Sequence, residues 1–230
     1  MTLWAHLARA SNAAGDEIIL RRRDDVYEIR YNGLELMSNV NHSSEILLAE
    51  RTLRLPGHRP SKVLIGGLGM GFTLRACLDQ LDDAAEVVVC ELVAEVVDWN
   101  RTQFGHLAGH PVRDPRVSLR MGDVMETLRQ QCGTYDTILM DTDNGPDFIV
   151  RSSNEAIYQS SGIETVKRAL TAGGVAAFWS ATLSPAFERE LDRVNWHWRR
   201  DEVTLEGERN GAFHAIYLAS TDAGKLRSPE

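Results

Sequence analysis

The sequence is poor in cysteine, in basic charge and in long apolar runs, and each shortage removes a class of protein. Three cysteines occur in 230 residues, Cys77, Cys90 and Cys132, an odd number with no two at metal-knuckle spacing. They read as free thiols of a reducing cytoplasm, not as a disulfide frame or a zinc site. His42, His58, His106, His110, His197 and His214 are scattered without ligand spacing and read as surface or packing groups, so no metal is expected. Lysine and arginine number 25 against 33 aspartates and glutamates, a net charge of −8. An acidic surface repels phosphate backbones and argues against a general nucleic-acid binder. No segment approaches the roughly 18–20 apolar residues of a membrane helix. Residues 1–16 lack the basic start and apolar core of a secretory signal. Tandem repeats and low-complexity tracts are absent.

What is present is ordinary globular material: 43% hydrophobic and 25% charged residues, enough for a full core and too apolar for a disordered chain. The length suits one compact domain with additions. Residues 1–60 read as a small unit. Strand-like segments 17–20, 26–31 and 34–37 make an antiparallel meander, with charged residues 21–25 at one turn and Asn32-Gly33 at the next. A helix over 43–55 follows, with Ser43 or Ser44 as its cap. Pro56-Gly57 and Pro60 then open the main unit, residues 61–220. There strands are predicted at 63–66, 86–91, 117–121, 135–141 and 175–180. Helices are predicted at 72–81, 94–104, 124–131, 155–170 and 185–194, the fourth closed by Gly173-Gly174. Two last strands, 202–205 and 213–219, flank a turn at Asn210-Gly211, and the polar residues 221–230 read as a frayed tail. Alternating strands and helices demand a mostly parallel sheet covered on both faces. The closing antiparallel hairpin favours the Rossmann-like class I methyltransferase version of this α/β fold.

Four motifs lie at predicted strand ends, where open parallel sheets bind ligands. The first is Val63-Leu64-Ile65-Gly66-Gly67-Leu68-Gly69-Met70-Gly71-Phe72. Glycines let the backbone turn sharply and approach a ligand. A dinucleotide fingerprint needs a glycine where Phe72 stands, whereas Gly67, Gly69 and Gly71 suit adenosylmethionine, which has no pyrophosphate to cradle. The second is Glu91, a carboxylate able to accept from both hydroxyls of a ribose. The third is Gly122-Asp123, where Asp123 can accept from an adenine amino group or cap the next helix. The fourth is Asp141-Thr142-Asp143-Asn144-Gly145-Pro146-Asp147, which crowds carboxylates where a substrate meets the cofactor. Such groups can hold an amine and take its proton, and clustering raises a carboxylate's pKa. Trp179, at a strand end on the same side, is the best placed of Trp179, Trp196 and Trp198 to line a pocket.

The order of glycine turn, Glu91, Gly122-Asp123 and the Asp141 loop resembles the spermidine synthase family over roughly residues 17–219. The resemblance implies a class I methyltransferase-like fold, usually dimeric, and aminopropyl transfer from decarboxylated adenosylmethionine to putrescine. By match, Glu91 is the ribose-binding acid, Asp123 the adenine-binding acid and Asp141 the proton-accepting first aspartate of the catalytic loop. The departures are informative. Gly69 stands where the family's glycine turn carries the aspartate that holds the aminopropyl ammonium. The catalytic loop has an extra residue, so Asp143 or Asn144 only approximates its second aspartate. Of the family's Tyr-His-Glu only Glu50 is kept, after Leu48-Ala49, and Glu45 matches its preceding acidic pair, which here begins with Ser44.

The nucleoside side is therefore kept and the diamine side eroded. The leading expectation is a transferase that uses S-adenosyl-L-methionine to methylate a small amine or other cationic acceptor. Asp141 and Asp143 would orient the acceptor, with Asn144, Glu45 and Trp179 around it. Aminopropyl transfer from decarboxylated S-adenosylmethionine is the alternative, and a non-catalytic nucleoside-binding module is a third reading. Neither nucleic acid nor membrane is an expected partner; a homodimer is.

Overall fold

The computed structural model describes residues 3–11, 15–142, 144–149, 152–204 and 213–227. The first sheet has four antiparallel strands in the order β1-β2-β3-β4: β1 (Ala5–Ser11), β2 (Glu17–Arg23), β3 (Val26–Tyr31) and β4 (Leu34–Ser38). The meander thus has one strand more than the sequence pattern predicts. Strand β1 carries no apolar alternation: it is mostly exposed, rests only Ala8 and Ala10 against the core, and is held by pairing with β2. Asn32 and Gly33 adopt φ of 48° and 81°, the twist-matched geometry of a tight hairpin turn. The three arginines lie on β2, not in the turn, which is made by Asp24 and Asp25. There Arg21 donates to both oxygens of Glu28, and Arg21 and Arg23 lie over the ring of Trp4.

Helix α1 (Ser43–Leu53) links the two sheets. Its N-cap is His42, without a side-chain cap bond, so neither serine caps it. Ile18, Leu20 and Ile29 of the meander share one core cluster with Leu48 of α1 and with Leu68 and Met70 of the glycine turn. The small sheet is therefore packed over the ligand-facing edge of the large one.

The large sheet has seven strands in the order β10-β11-β9-β8-β5-β6-β7. Its parallel part is β5 (Lys62–Gly66), β6 (Glu86–Glu91), β7 (Val117–Met121), β8 (Tyr135–Met140) and β9 (Leu170–Ser180). Helices α2 (Phe72–Leu78), α3 (Ala94–Thr102), α4 (Val124–Arg129), α5 (Ser160–Ala169) and α6 (Pro185–Arg193) connect and cover them. The antiparallel strands β10 (His197–Thr204) and β11 (Phe213–Ser220) close the sheet. This is the Rossmann-like class I methyltransferase arrangement. Central strands are continuous apolar runs because both faces are covered: Val63, Leu64 and Ile65 are fully buried. The turn expected at Asn210-Gly211 lies outside the described residues.

Three boundaries differ for physical reasons. Gly173, at φ 73°, does not end a helix. It sits within β9 near a register shift against β8, because positive φ serves a strand irregularity as well as a helix stop. A 3-10 segment, Ser152–Tyr158, replaces the first turns expected of α5. The C-terminal segment expected to fray forms a 3-10 turn, Ala223–Leu226, with Leu226 buried, its carbonyl accepting from Arg199, and Lys225 donating to the Gly57 carbonyl.

Candidate active site

Strand order reverses at β5, which pairs β6 on one side and β8 on the other. Such a switch point leaves a crevice at the carboxyl ends of the strands. A cavity occupies it, lined by Gly67, Gly69, Glu91, Asp141, Asn144 and Trp179 from the large sheet and by Glu45 from α1. Ile29, Tyr31, Leu36 and Met37 of the meander form its apolar wall. Seven of the residues singled out in the sequence thus meet in one place.

The side of the cavity formed by the glycine turn and Glu91, where the sequence predicts the nucleoside, is built from backbone. Gly67 has φ 90°, and a Cβ there would lie 2.8 Å from the carbonyl carbon of Asp141, so only glycine fits. Its N–H donates to the Cys90 carbonyl at 2.9 Å, and the Asp141 N–H donates to the Gly66 carbonyl at 2.8 Å. Glu91 is 8% exposed. Its two oxygens accept from the backbone N–H groups of Leu68, 2.9 Å, and Val93, 2.8 Å. The carboxylate is aimed before any ligand arrives. Beside it, the Gly122 N–H donates to the Glu91 carbonyl at 2.9 Å, which puts Asp123 one residue beyond the cavity rim. Asp123 Oδ1 caps α4 by accepting from Met125 N–H at 2.7 Å. Gly122 and Asp123 do not line the cavity itself. Gly71 does not either: a Cβ there would meet Pro111 and Asn100, so this glycine serves helix packing.

The side formed by Asp141 and Glu45, where the sequence predicts the acceptor, is built from side chains. Asp141 lines the cavity and is partly exposed, yet the surrounding protein strips most of its hydration. That burial, reinforced by the charges of Glu45 and Glu91 and opposed by a Thr73 hydrogen bond, pushes its pKa up to about 7. Thr73 Oγ1 donates to Asp141 Oδ2 at 2.6 Å. Glu45 is 7% exposed, and burial likewise raises its pKa against a hydrogen bond from Ser44. Asn154, a neighbour not foreseen from the sequence, donates from Nδ2 to the Thr142 carbonyl at 3.4 Å. Asp143 lies outside the described residues. Asp147 turns away from the cavity and accepts from Ser184 Oγ at 2.7 Å.

Gly69 explains itself through Met37. A Cβ at Gly69 would lie 2.7 Å from Met37 Sδ and 3.3 Å from its Cε. The Met70 N–H points at the same sulfur, 3.0 Å away. The space for a side chain on the glycine turn is thus filled from β4. No helix among the described residues is long and apolar enough to cross a membrane.

Fold and site together define a class I methyltransferase-like domain with an acidic cavity at the carboxyl ends of its parallel strands. Residues 46–191 match the family model of the spermine/spermidine synthase domain, and the chain belongs to that family. Over 119 residues it is 35% identical to putrescine N-methyltransferase 4 of Nicotiana tabacum, covering 50% of this chain and 28% of that protein. Over the same length it is 34% identical to spermine synthase of Arabidopsis thaliana, covering 31% of that protein. These matches span less than a third of the curated relatives. The spermidine synthase of Thermotoga maritima superposes with a TM-score of 0.76 at 18% identity, covering 96% of this chain and 74% of that one. A spermidine synthase bound to the transition-state analogue AdoDATO gives 0.75. The fold is theirs.

Proposed function

We propose that the chain is an adenosylmethionine-dependent transferase that methylates a small amine or other cationic acceptor. The observation that carries this reading is a pair of desolvated carboxylates, Asp141 and Glu45, in a chamber whose described lining contains no lysine or arginine. Buried charge without a counter-ion is costly, and a cation entering between the two supplies it. The names of two relatives, putrescine N-methyltransferase and spermine synthase, support an amine at such a site.

The residues present fit the nucleoside. Gly67 leaves backbone where a Cβ would intrude, and Glu91 presents a fixed carboxylate for the ribose. When bound, adenosylmethionine supplies a methyl group already activated on a sulfonium. The chain's own work is to place and deprotonate the acceptor. An ammonium has no lone pair; Asp141, poised near neutral pH, takes its proton, the neutral amine accepts the methyl group, and Glu45 holds the second ammonium of a diamine acceptor. Thr73 fixes which Asp141 oxygen faces the chamber. Desolvation by the meander wall strengthens both contacts.

Gly69 supports intact adenosylmethionine over its decarboxylated form, because the family's ammonium-binding aspartate is missing and Met37 fills its space. The retained Asp141 keeps aminopropyl transfer as a second reading. Calorimetric titration with both forms separates them: tighter binding of adenosylmethionine is expected, and binding of the decarboxylated form alone sinks methyl transfer. Release of adenosylhomocysteine from a panel of amines removes the non-catalytic reading. A homodimer in the cytoplasm completes the proposal. Support comes from the exposed Leu7 and Leu3 at the outer edge of the meander and from the free thiols of Cys77, Cys90 and Cys132. Sedimentation equilibrium tests the dimer.

A further inference from the structure

Behind Glu45 runs a chain of polar side chains that the proposed reaction does not use directly. Ser44, fully buried, donates its hydroxyl to Glu45 Oε2 at 2.5 Å. A serine hydroxyl has one proton. With that proton spent on Glu45, Ser44 Oγ can only accept from its other neighbour, His214 Nδ1, 2.8 Å away. The imidazole therefore carries its proton on Nδ1. Burial lowers the His214 pKa and keeps the ring neutral. The ring is also gripped edge-on by Trp179, centroid to centroid 4.7 Å at 72°. Ser44 and His214 stand 170 residues apart, one on α1 and the other near the start of β11.

We propose that His214, acting through Ser44, is a positioning residue that fixes Glu45 as the charged, acceptor-holding carboxylate of this site. The proposal rests on the reading that Glu45 holds an amine. A buried carboxylate left to itself takes up a proton and loses its hold on a cation. A hydroxyl locked into the donor role opposes that, because a hydrogen bond to the charged form favours it. Ser44 alone is a rotor free to donate elsewhere; the His214 N–H removes that freedom. Glu45 shares the cavity with two further acidic groups, Asp141 just after β8 and Glu91 at the end of β6, and its charge acts on Asp141. Two neighbouring carboxylates do not ionise freely together, and the donor favours the charge on Glu45. The outcome is a division of labour, with Glu45 ionised and Asp141 the proton carrier. A packing role alone needs no donor: phenylalanine would satisfy the edge contact to Trp179 equally well.

Three variants of the full chain test this: Ser44→Ala, His214→Phe, which keeps the ring and loses the donor, and His214→Asn, which keeps a short donor. The first readout needs no substrate. In carbon-13 spectra, Glu45 of the parent should ionise at lower pH than in Ser44→Ala or His214→Phe, with His214→Asn close to the parent. The second readout uses putrescine as the probe amine. KM should rise about tenfold in the first two variants, the order expected for one charge-assisted hydrogen bond. Turnover should change far less, adenosylmethionine affinity should hold, and His214→Asn should recover most of the loss. An unchanged Glu45 titration in His214→Phe overturns the proposal, as does a shifted titration with parental KM. If the parent neither binds nor methylates putrescine, that counts against the acceptor reading; the carboxyl titration then decides the His214 chain by itself.

Discussion

The two halves of the cavity are made by different means. On the side proposed for the nucleoside the fixing is done by backbone: Gly67 pressed against the Asp141–Thr142 peptide, and Glu91 held by two main-chain N–H groups. On the side proposed for the acceptor it is done by side chains from distant segments: Glu45 with Ser44 and His214, Asp141 with Thr73. Backbone fixing is rigid and tolerates little change. Side-chain fixing can be rewritten one residue at a time, which is how a family keeps a cofactor and changes its acceptor. The nucleoside half should accordingly fail as a structure, and the acceptor half as chemistry.

The most severe break is Gly67→Ala. The residue has φ 90°, and its Cβ would collide with the Asp141 carbonyl group on a fixed strand end. Neither side can yield without moving β5 or β8. A loss of about 3 kcal/mol or more is expected, read as a fall in thermal midpoint or as insoluble protein. Gly122→Ala is the control: its φ is 134°, but nothing stands within 4 Å of an added Cβ, so its cost should be backbone strain alone.

Next comes Asp141→Asn, which keeps shape and removes charge. If Asp141 takes the acceptor's proton, turnover should fall by on the order of a hundredfold, with cofactor affinity little changed. Stability should move the other way. The native pKa is raised to about 7, above the ordinary aspartate value of 3.8. Between those values the native state binds the extra proton, so stability falls as pH rises through that window and stays reduced above it. Asparagine has no such proton to lose. At pH 8 the ligand-free variant should be more stable than the parent, by on the order of 2 kcal/mol, and the two should converge near pH 4. A variant less stable at pH 8 would show that Asp141 is not the desolvated member of the pair.

Glu91→Ala sharpens the comparison from the nucleoside side. It should weaken adenosylmethionine about ten- to hundredfold by calorimetry, the range of a charged hydrogen bond, and lower the Asp141 pKa only slightly, because burial and Glu45 raise it more than Glu91 does. Parental affinity in this variant would remove Glu91 from the cofactor site.

The same contrast explains what could be read from the sequence. Gly67, Glu91 and Asp141 are legible because each lies within a local pattern, an apolar strand followed by a turn or a carboxylate. Asp123 is legible as a helix cap, and its bond to Met125 is of that kind. Ser44, His214 and Thr73 carry no local signal. Ser44 looks like a cap, His214 like a packing histidine, and only folding brings them to Glu45 and Asp141. Strand β10 is longer than its pattern suggests for a similar reason. Arg199, Arg200 and Asp201 look like loop, yet on this edge strand Arg199 pairs with Asp201 and Arg200 with Glu202 and with Glu188 of α6, where charge is tolerated and protects the edge.

The smallest effect is expected at the seam between the halves, where Met37 of the meander meets Gly69 of the glycine turn. If Gly69 and Met37 together set the form of cofactor accepted, Gly69→Asp alone should bring little, because its Cβ would lie 2.7 Å from Met37 Sδ. The obstacle is the far end of a flexible side chain, so the protein should fold with Met37 displaced into the cavity. Adding Met37→Ala removes the obstacle and leaves room for a carboxylate facing the cofactor's tail. The double variant should then shift the ratio of affinities toward decarboxylated adenosylmethionine by about tenfold, equivalent to about 1.4 kcal/mol, more than the sum of the single changes. That excess over additivity is the informative quantity, since residues in contact couple and distant ones do not. Titration of both cofactor forms into the four proteins of the cycle measures it. Additive changes would mean that Met37 merely fills space, and that the choice of cofactor is made elsewhere in the chamber.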